Sequence, residues 1–423
     1  MSERGINRRE FVKAAVAIGG SAALSACLDR NGAPDVPKGP DDLSTLPDRQ
    51  HAWNGALSTD DHGNVLPARH QVLLYLNYAG SGTPTAAERE TVETAFRSLE
   101  RAYRRGNDGL LFSVGYSPSY FDRFPESLPD PVDLPSPSAL APFEDPAFDH
   151  QDAVVHLATD HAAVALAAEE ALLGETTELN GVEMEASLSG VLQKADRRTG
   201  FVGAGLPADN QDVQGIPDSK PVPEESPLYM GFKSGFEKNQ ASEDRVTIRE
   251  GPFAGGATQH VSKIRLHLDQ WYEQDSREQR VAKMFCPAHA AEDRVEGVGE
   301  NLGDDSGMDE KCTENVAERA RERGMVGHSQ KSATVREDDS PLILRRDFDS
   351  TDGGEAGLHF VSLQRAVGDF EDTRTAMNGT DVAEKSSVGQ RLNNGILQYM
   401  TVERRGNFLL PPRSKRSLPS PTA

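Results

Sequence analysis

Beyond residue 65 the apolar positions of this chain alternate between two periods. Val72-Leu73-Leu74-Tyr75-Leu76 is an unbroken apolar run of strand length, which predicts a strand buried on both faces. Thr85-Ala86-Ala87-Glu88 has the spacing of a capping box. In the helix that it opens, Val92, Ala95, Phe96, Leu99, Ala102 and Tyr103 share one face. A strand over 110–114, a Pro-rich stretch and a strand over 153–158 follow. The pattern then predicts an Ala-rich helix capped by Asp160 and stopped at Gly174, and a strand near 182–191.

From about residue 226 the order repeats. Ile264, Leu266 and Leu268 alternate with polar residues, Asp269 caps a helix running to Lys283, and strands are predicted over 342–345 and 358–363. A helix over 367–377 and a closing strand over 408–410 complete the block. Each block reads β-α-β-β-α-β, the ferredoxin-like order. The expected class is α+β, with two ferredoxin-like halves (66–225 and 226–412) packed sheet to sheet as in a dimeric α+β barrel. A ligand cavity is expected between the layers. Residues 290–326 interrupt the second half as an acidic surface excursion with a helix over 314–323.

The N-terminus carries different information. Arg8-Arg9 precede a short Ala/Gly-rich apolar stretch that closes on Leu24-Ser25-Ala26-Cys27, so residues 1–27 read as a twin-arginine export signal with a lipobox. Export and a lipid on Cys27 would place the protein at the extracytoplasmic cell surface, touching the membrane through that anchor alone. Residues 28–65, rich in Pro, Gly, Asp and Asn, read as a disordered tether, and 413–423 as a tail.

Charge narrows the partners. The 67 acidic and 45 basic residues leave a net charge of −22, which argues against nucleic acid and suggests a halophilic source. With 3 cysteines this is no disulfide scaffold. Cys286 and Cys312 either pair in an oxidising compartment, or Cys286 and His289 form half of a zinc site whose other ligands are Cys312 and His328 at irregular spacing.

Several segments, in order over residues 66–412, resemble the DyP-type (dye-decolorizing) haem peroxidases. Gly231-Phe232-Lys233-Ser234-Gly235 is similar to that family's Gly-x-x-Asp-Gly signature, and Gly255-Gly256 stands before an Ile-Arg-Leu strand and a helix with Trp271. Gly115 to Phe124 is similar to its Gly-Phe-Gly-Pro-x-Leu-Phe-Asp segment, and 152–160 to its Asp-Leu strand. Leu344-Arg345-Arg346-Asp347-Phe348 resembles Leu-Arg-Arg-Gly-Tyr, Gly357 to Val361 resembles Gly-Leu-x-Phe, and Phe408 to Pro412 resembles Phe-x-x-Pro-Pro.

The resemblance implies a haem b peroxidase that reduces hydrogen peroxide and oxidises a donor of unknown identity; homo-oligomerisation is left open. By the same resemblance His328 ligates iron, Arg345 stabilises negative charge as the O–O bond breaks, and Phe360 covers the haem. The flanks of His328, Gly327 and Ser329-Gln330-Lys331, depart from the family's Ser-His-Ile-Arg. Read without the resemblance, His328 is a surface loop residue, Arg345 an ion-pairing strand residue and Phe360 a core residue.

Ser234 stands where the family carries its distal Asp. A hydroxyl that does not ionise near neutral pH holds a water but does not shuttle a proton, so weakened turnover is expected unless a water or Glu237 substitutes. The alternative is a non-catalytic haem- or iron-binding, or purely structural, surface lipoprotein. His260, His267 and His359 alternate with apolar strand positions and read as structural, and Asn378-Gly379-Thr380 is a glycosylation acceptor pattern.

Overall fold

The apolar run 72–76 is the centre of β1 (His70–Tyr78), buried on both faces. Val72, Leu74 and Leu76 meet a helical layer, while Leu73 and Tyr75 meet the opposite sheet. The structure, a computed structural model, describes residues 35–422; the predicted signal and Cys27 lie outside the described residues. α1 (Ala86–Ala102) opens on the expected capping box, with Glu88 N donating to Thr85 Oγ1 at 3.3 Å and Thr85 N to Glu88 Oε2 at 2.7 Å. β2 (Leu111–Tyr116), β3 (Ala153–Thr159), α2 (Ala162–Leu172) and β4 (Leu192–Phe201) complete the first half. Its strands lie antiparallel in the order β4-β1-β3-β2.

The second half contains β5 (Ala257–Leu266), α3 (Leu268–Glu273), α4 (Arg277–Met284), α5 (Val316–Arg323) and α6 (His328–Ser332). It continues with β6 (Leu344–Arg345), β7 (Phe348–Ser350), β8 (Gly357–Gln364), α7 (Val367–Asn378) and β9 (Met400–Leu410). Here the order is β9-β5-β8, with β6 and β7 in line along the free side of β8, so both halves share one topology. Asp349↔Phe201 joins β7 to β4 and Leu409↔Tyr116 joins β9 to β2, closing the two sheets into a ring. This is the expected α+β pair of ferredoxin-like halves.

The space between the layers is not the cavity the sequence suggested. Tyr75, Val154, Val261, Phe348, Val361 and Phe408 fill it, and Arg198 is buried there on Asp149 (2.6 Å) and Tyr75 Oη (2.8 Å).

Other expectations need correction. β4 begins at Leu192 rather than near 182, because its own residues, Leu-Gln-Lys-Ala-Asp-Arg-Arg, are polar on a partly exposed face and give little apolar signal. The helix expected over 269–283 is two helices, since Ser276 caps α4 with a box to Gln279. Asp160 is not a cap; it accepts from Arg69 N at 2.9 Å. Of the predicted tether, residues 35–65 are docked: Trp53 is 3 % exposed, and Gln50 Nε2 donates to Val114 O and Pro411 O. Nor is 413–422 a free tail, since Arg416 is buried on Glu100 and Leu418 N donates to Tyr116 Oη. Both segments are held by single anchors rather than a periodic apolar face, so composition does not reveal them.

The acidic excursion is structural. Cys286 and Cys312 form a disulfide across 26 residues, Val295 and Val298 are buried, and α5 lies where a helix was expected. No described helix is long and apolar enough to cross a membrane.

Candidate functional site

The outer face of the second sheet and the helices packed on it enclose a cavity of about 200 Å³. Strand alternation builds the sheet wall. Arg345, Asp347 and Asp349 stand at every second position along β6–β7, Leu358 and Phe360 along β8, and Ser262, Ile264 and Leu266 along β5. The helical wall brings His328 and Ser329 from α6 and Phe370, Thr373, Arg374 and Met377 from α7. Ser234 comes from the loop 231–235. The four site residues read from the sequence, Ser234, His328, Arg345 and Phe360, therefore line one cavity.

α6 is clamped at both ends. Gly327 N donates to Gln330 Oε1 at 2.9 Å, and Gln330 Nε2 donates to the carbonyl of disulfide-bonded Cys312 at 2.7 Å. Gly327 has no room for a Cβ, which would stand 1.8 Å from Phe285 O. On the other side the buried Lys331 ammonium donates to Met377 O at 2.6 Å and to Asn394. His328 is thus on a fixed helical turn rather than a surface loop. Burial first, then the positive charges of Lys331, Arg345 and Arg374, push its pKa down to about 3. A neutral imidazole keeps a nitrogen lone pair, as a metal ligand requires.

Arg345 is held by its backbone, its N donating to Gln240 Oε1 at 3.0 Å. Its guanidinium Nη1 faces Asp347 Oδ2 at 3.5 Å. Phe360 forms part of the sheet wall with its ring centroid 5.8 Å from that of Phe370. Ser234 follows Lys233, whose ammonium pairs with Asp60 at 2.7 Å and fixes the loop. Ser234, Arg345 and Asp347 also line an outer vestibule of about 1310 Å³, so they stand where the inner cavity opens outward. Glu237 lines only the vestibule.

Three residues of the site were not anticipated. Arg374 and Arg405 share one carboxylate, Glu144, at 2.6 and 2.8 Å. Arg374 Nη1 and Arg405 Nε and Nη1 are buried without a hydrogen-bond partner among the described residues. Two guanidinium ions on one carboxylate leave a surplus positive charge and unused donors on the cavity wall, which an anionic group would satisfy. The third, Asp347, is readable in retrospect from its alternation with Arg345; nothing in the helical pattern singles out Arg374.

The remaining candidates are structural. His260 is bonded to Asn407 and Ser262, both at 2.7 Å, and lies stacked on Phe370; His359 bonds Asp352 at 3.1 Å and His267 bonds Thr401 at 3.0 Å. Cys286, His289 and Cys312 do cluster, but the disulfide uses both sulfurs. Asn378 is 8 % exposed and donates to Leu140 O at 2.7 Å, so its amide is no accessible glycosylation acceptor.

A model of a family of unknown function (DUF7405) matches residues 68–412. The chain belongs to this family. No curated protein matches this DUF7405 member. Solved structures do. The encapsulated DyP-type peroxidase from Mycobacterium smegmatis is 15 % identical, with 87 % of this chain and all (100 %) of that chain covered and a TM-score of 0.54. The dye-decolorizing protein from V. cholerae is 14 % identical over 85 % of this chain and 97 % of its own, with a TM-score of 0.52. A Rhodococcus jostii RHA1 DypB variant, solved in complex with heme, is 17 % identical over 82 % and 95 %, also at 0.52. The DUF7405 chain thus has the DyP-type peroxidase fold.

Proposed function

We propose that this DUF7405 member is an extracytoplasmic haem peroxidase of DyP type that reduces hydrogen peroxide and oxidises a donor not identified by its fold. The observation that carries this reading is one cavity bounded by His328, apolar Phe360, Arg345, and the unused guanidinium donors of Arg374 and Arg405. That donor set fits haem b: an imidazole for iron, an apolar wall for the ring and cations for its two carboxylates. In this reading His328 would ligate the iron, and Arg374 and Arg405 would hold the carboxylates.

When bound, haem supplies the electrons that cleave the peroxide O–O bond. Arg345 directs its guanidinium donors at the oxygen that gains negative charge, and a cation that is fixed beforehand costs no reorganisation as charge develops. Ser234 holds water at the mouth of the cavity. Phe360 excludes water from the sheet wall. The disulfide supports an oxidising compartment, which is where the proposed twin-arginine export and lipidation of Cys27 would place the chain.

The test is peroxide-dependent oxidation of a dye by the haem-loaded mature chain in high salt, for wild type and Arg345→Leu. Turnover in the wild type that falls by roughly 10²-fold or more in the variant supports the reading. Stoichiometric haem with no turnover in either would replace it with the second reading, a non-catalytic haem- or iron-binding surface lipoprotein. One observation favours that alternative: Ser234, at the mouth of the cavity, carries no carboxyl to move a proton.

A further inference from the structure

We propose that Asp347 is the residue that moves the peroxide proton in this cavity, an inference that rests on the haem-peroxidase reading above. Releasing the outer oxygen of hydrogen peroxide as water requires the proton on the inner oxygen to reach the outer one. A cation alone does not carry it, and neither does an un-ionised serine.

Asp347 has the position for this step. Arg345↔Ser362 and Phe348↔His359 fix a regular register, so Asp347 stands opposite Phe360 and on the same face as Arg345. Together with Ser234 and Arg345 it is among the residues common to the inner cavity and the vestibule, where peroxide enters and water leaves. Its side chain is 10 % exposed. Oδ1 accepts from Val361 N at 3.3 Å, and among the described residues Oδ2 has only Arg345 Nη1 at 3.5 Å, the long limit of a hydrogen bond, so Oδ2 has lone pairs free to take a proton. Burial raises the carboxyl pKa to about 6 against the lowering by Arg345 and the Val361 amide, which suits a group that must both accept and return a proton near neutrality. The neighbouring carboxyls are worse placed: Asp349 Oδ2 is occupied by Tyr229 N at 2.6 Å, and Glu237 stays in the vestibule.

In the step, Oδ2 takes the proton from the inner peroxide oxygen and delivers it to the outer oxygen. The outer oxygen would then leave as water with both protons, and the two electrons needed to break the O–O bond would come from haem when it is bound.

Cyanide isolates the proton transfer from bond cleavage, because hydrogen cyanide binds iron as the anion after losing its proton to a base. The experiment mixes cyanide rapidly with haem-loaded wild type, Asp347→Asn, Asp347→Glu, and the double variant Asp347→Asn with Ser234→Asp, following the Soret band. Cyanide association should slow roughly 10²-fold in Asp347→Asn, stay within about tenfold in Asp347→Glu and recover in the double variant, all at unchanged haem stoichiometry. If Asp347→Asn does not fold, Asp347→Ala gives the same reading. An unchanged rate in a fully haem-loaded Asp347→Asn overturns this inference and leaves the proposed function standing. Failure of the wild type to hold haem overturns both.

Discussion

Gly395 lies directly behind His328: a Cβ on residue 395 would stand 3.1 Å from both the backbone N and the Cα of His328. Gly395 also has φ +62° and donates its N–H to Val326 O at 2.9 Å, two residues before His328. The proposed iron ligand is therefore positioned partly by the missing side chain of a residue 67 positions later, in a turn with no apolar signal of its own. Gly395→Ala should cost roughly 1–3 kcal/mol through the left-handed backbone and the crowded contact. It should also weaken haem binding by displacing α6. Urea denaturation of the haem-free protein and a haem titration measure the two effects separately; loss of stability with unchanged haem affinity would detach residue 395 from the site.

The surplus guanidinium charge at Glu144 makes a separate prediction about the ligand. Replacing haem with its dimethyl ester removes both carboxylates and should weaken binding to the wild type by roughly tenfold or more, the worth of one charge-assisted hydrogen bond. In Arg374→Gln or Arg405→Gln the difference between haem and ester should shrink. Competition titrations followed by absorbance report both affinities, and equal preference in all three proteins would mean that the unused donors face something else.

Stability should fall on acidification through Glu100. Burial alone would raise its pKa, but the hydrogen bonds and charges of Arg413 and Arg416 outweigh it and hold the value below the ordinary 4.5. A pKa that is lower folded than unfolded contributes stability that is present above the unfolded value and lost as pH falls through the folded one. Glu100→Gln should therefore cost roughly 3–5 kcal/mol at neutral pH, and its deficit should narrow below about pH 4. Denaturant midpoints for both proteins across that range decide it; a constant gap would show that Glu100 does not titrate between the two states.

The sequence revealed most where one period ruled a segment. β1, α1 and α7 follow from apolar spacing and capping residues, and the doubled β-α-β-β-α-β order gave the topology of both sheets. It failed where structure is held by single contacts: Trp53 and Gln50 in the segment read as a tether, Arg416 and Leu418 in the segment read as a tail. The same limit explains the site. Ser234, Arg345 and Phe360 were legible from ordered motifs, and His328 as the histidine upstream of Arg345. The guanidinium pair on Glu144 joins positions 230 and 261 residues apart, which no local pattern encodes. Asp347 stands where the Leu-Arg-Arg-Gly-Tyr motif has Gly, so the motif assigns its carboxyl no role.

Ligation of haem iron by His328 is tested by the absorption spectrum of haem-loaded wild type and His328→Gly, before and after addition of free imidazole. The Soret band of the variant should differ from that of the wild type, and imidazole, entering the space left by the side chain, should move it back. Spectra that are the same for both proteins, or a wild type that retains no haem, would contradict it.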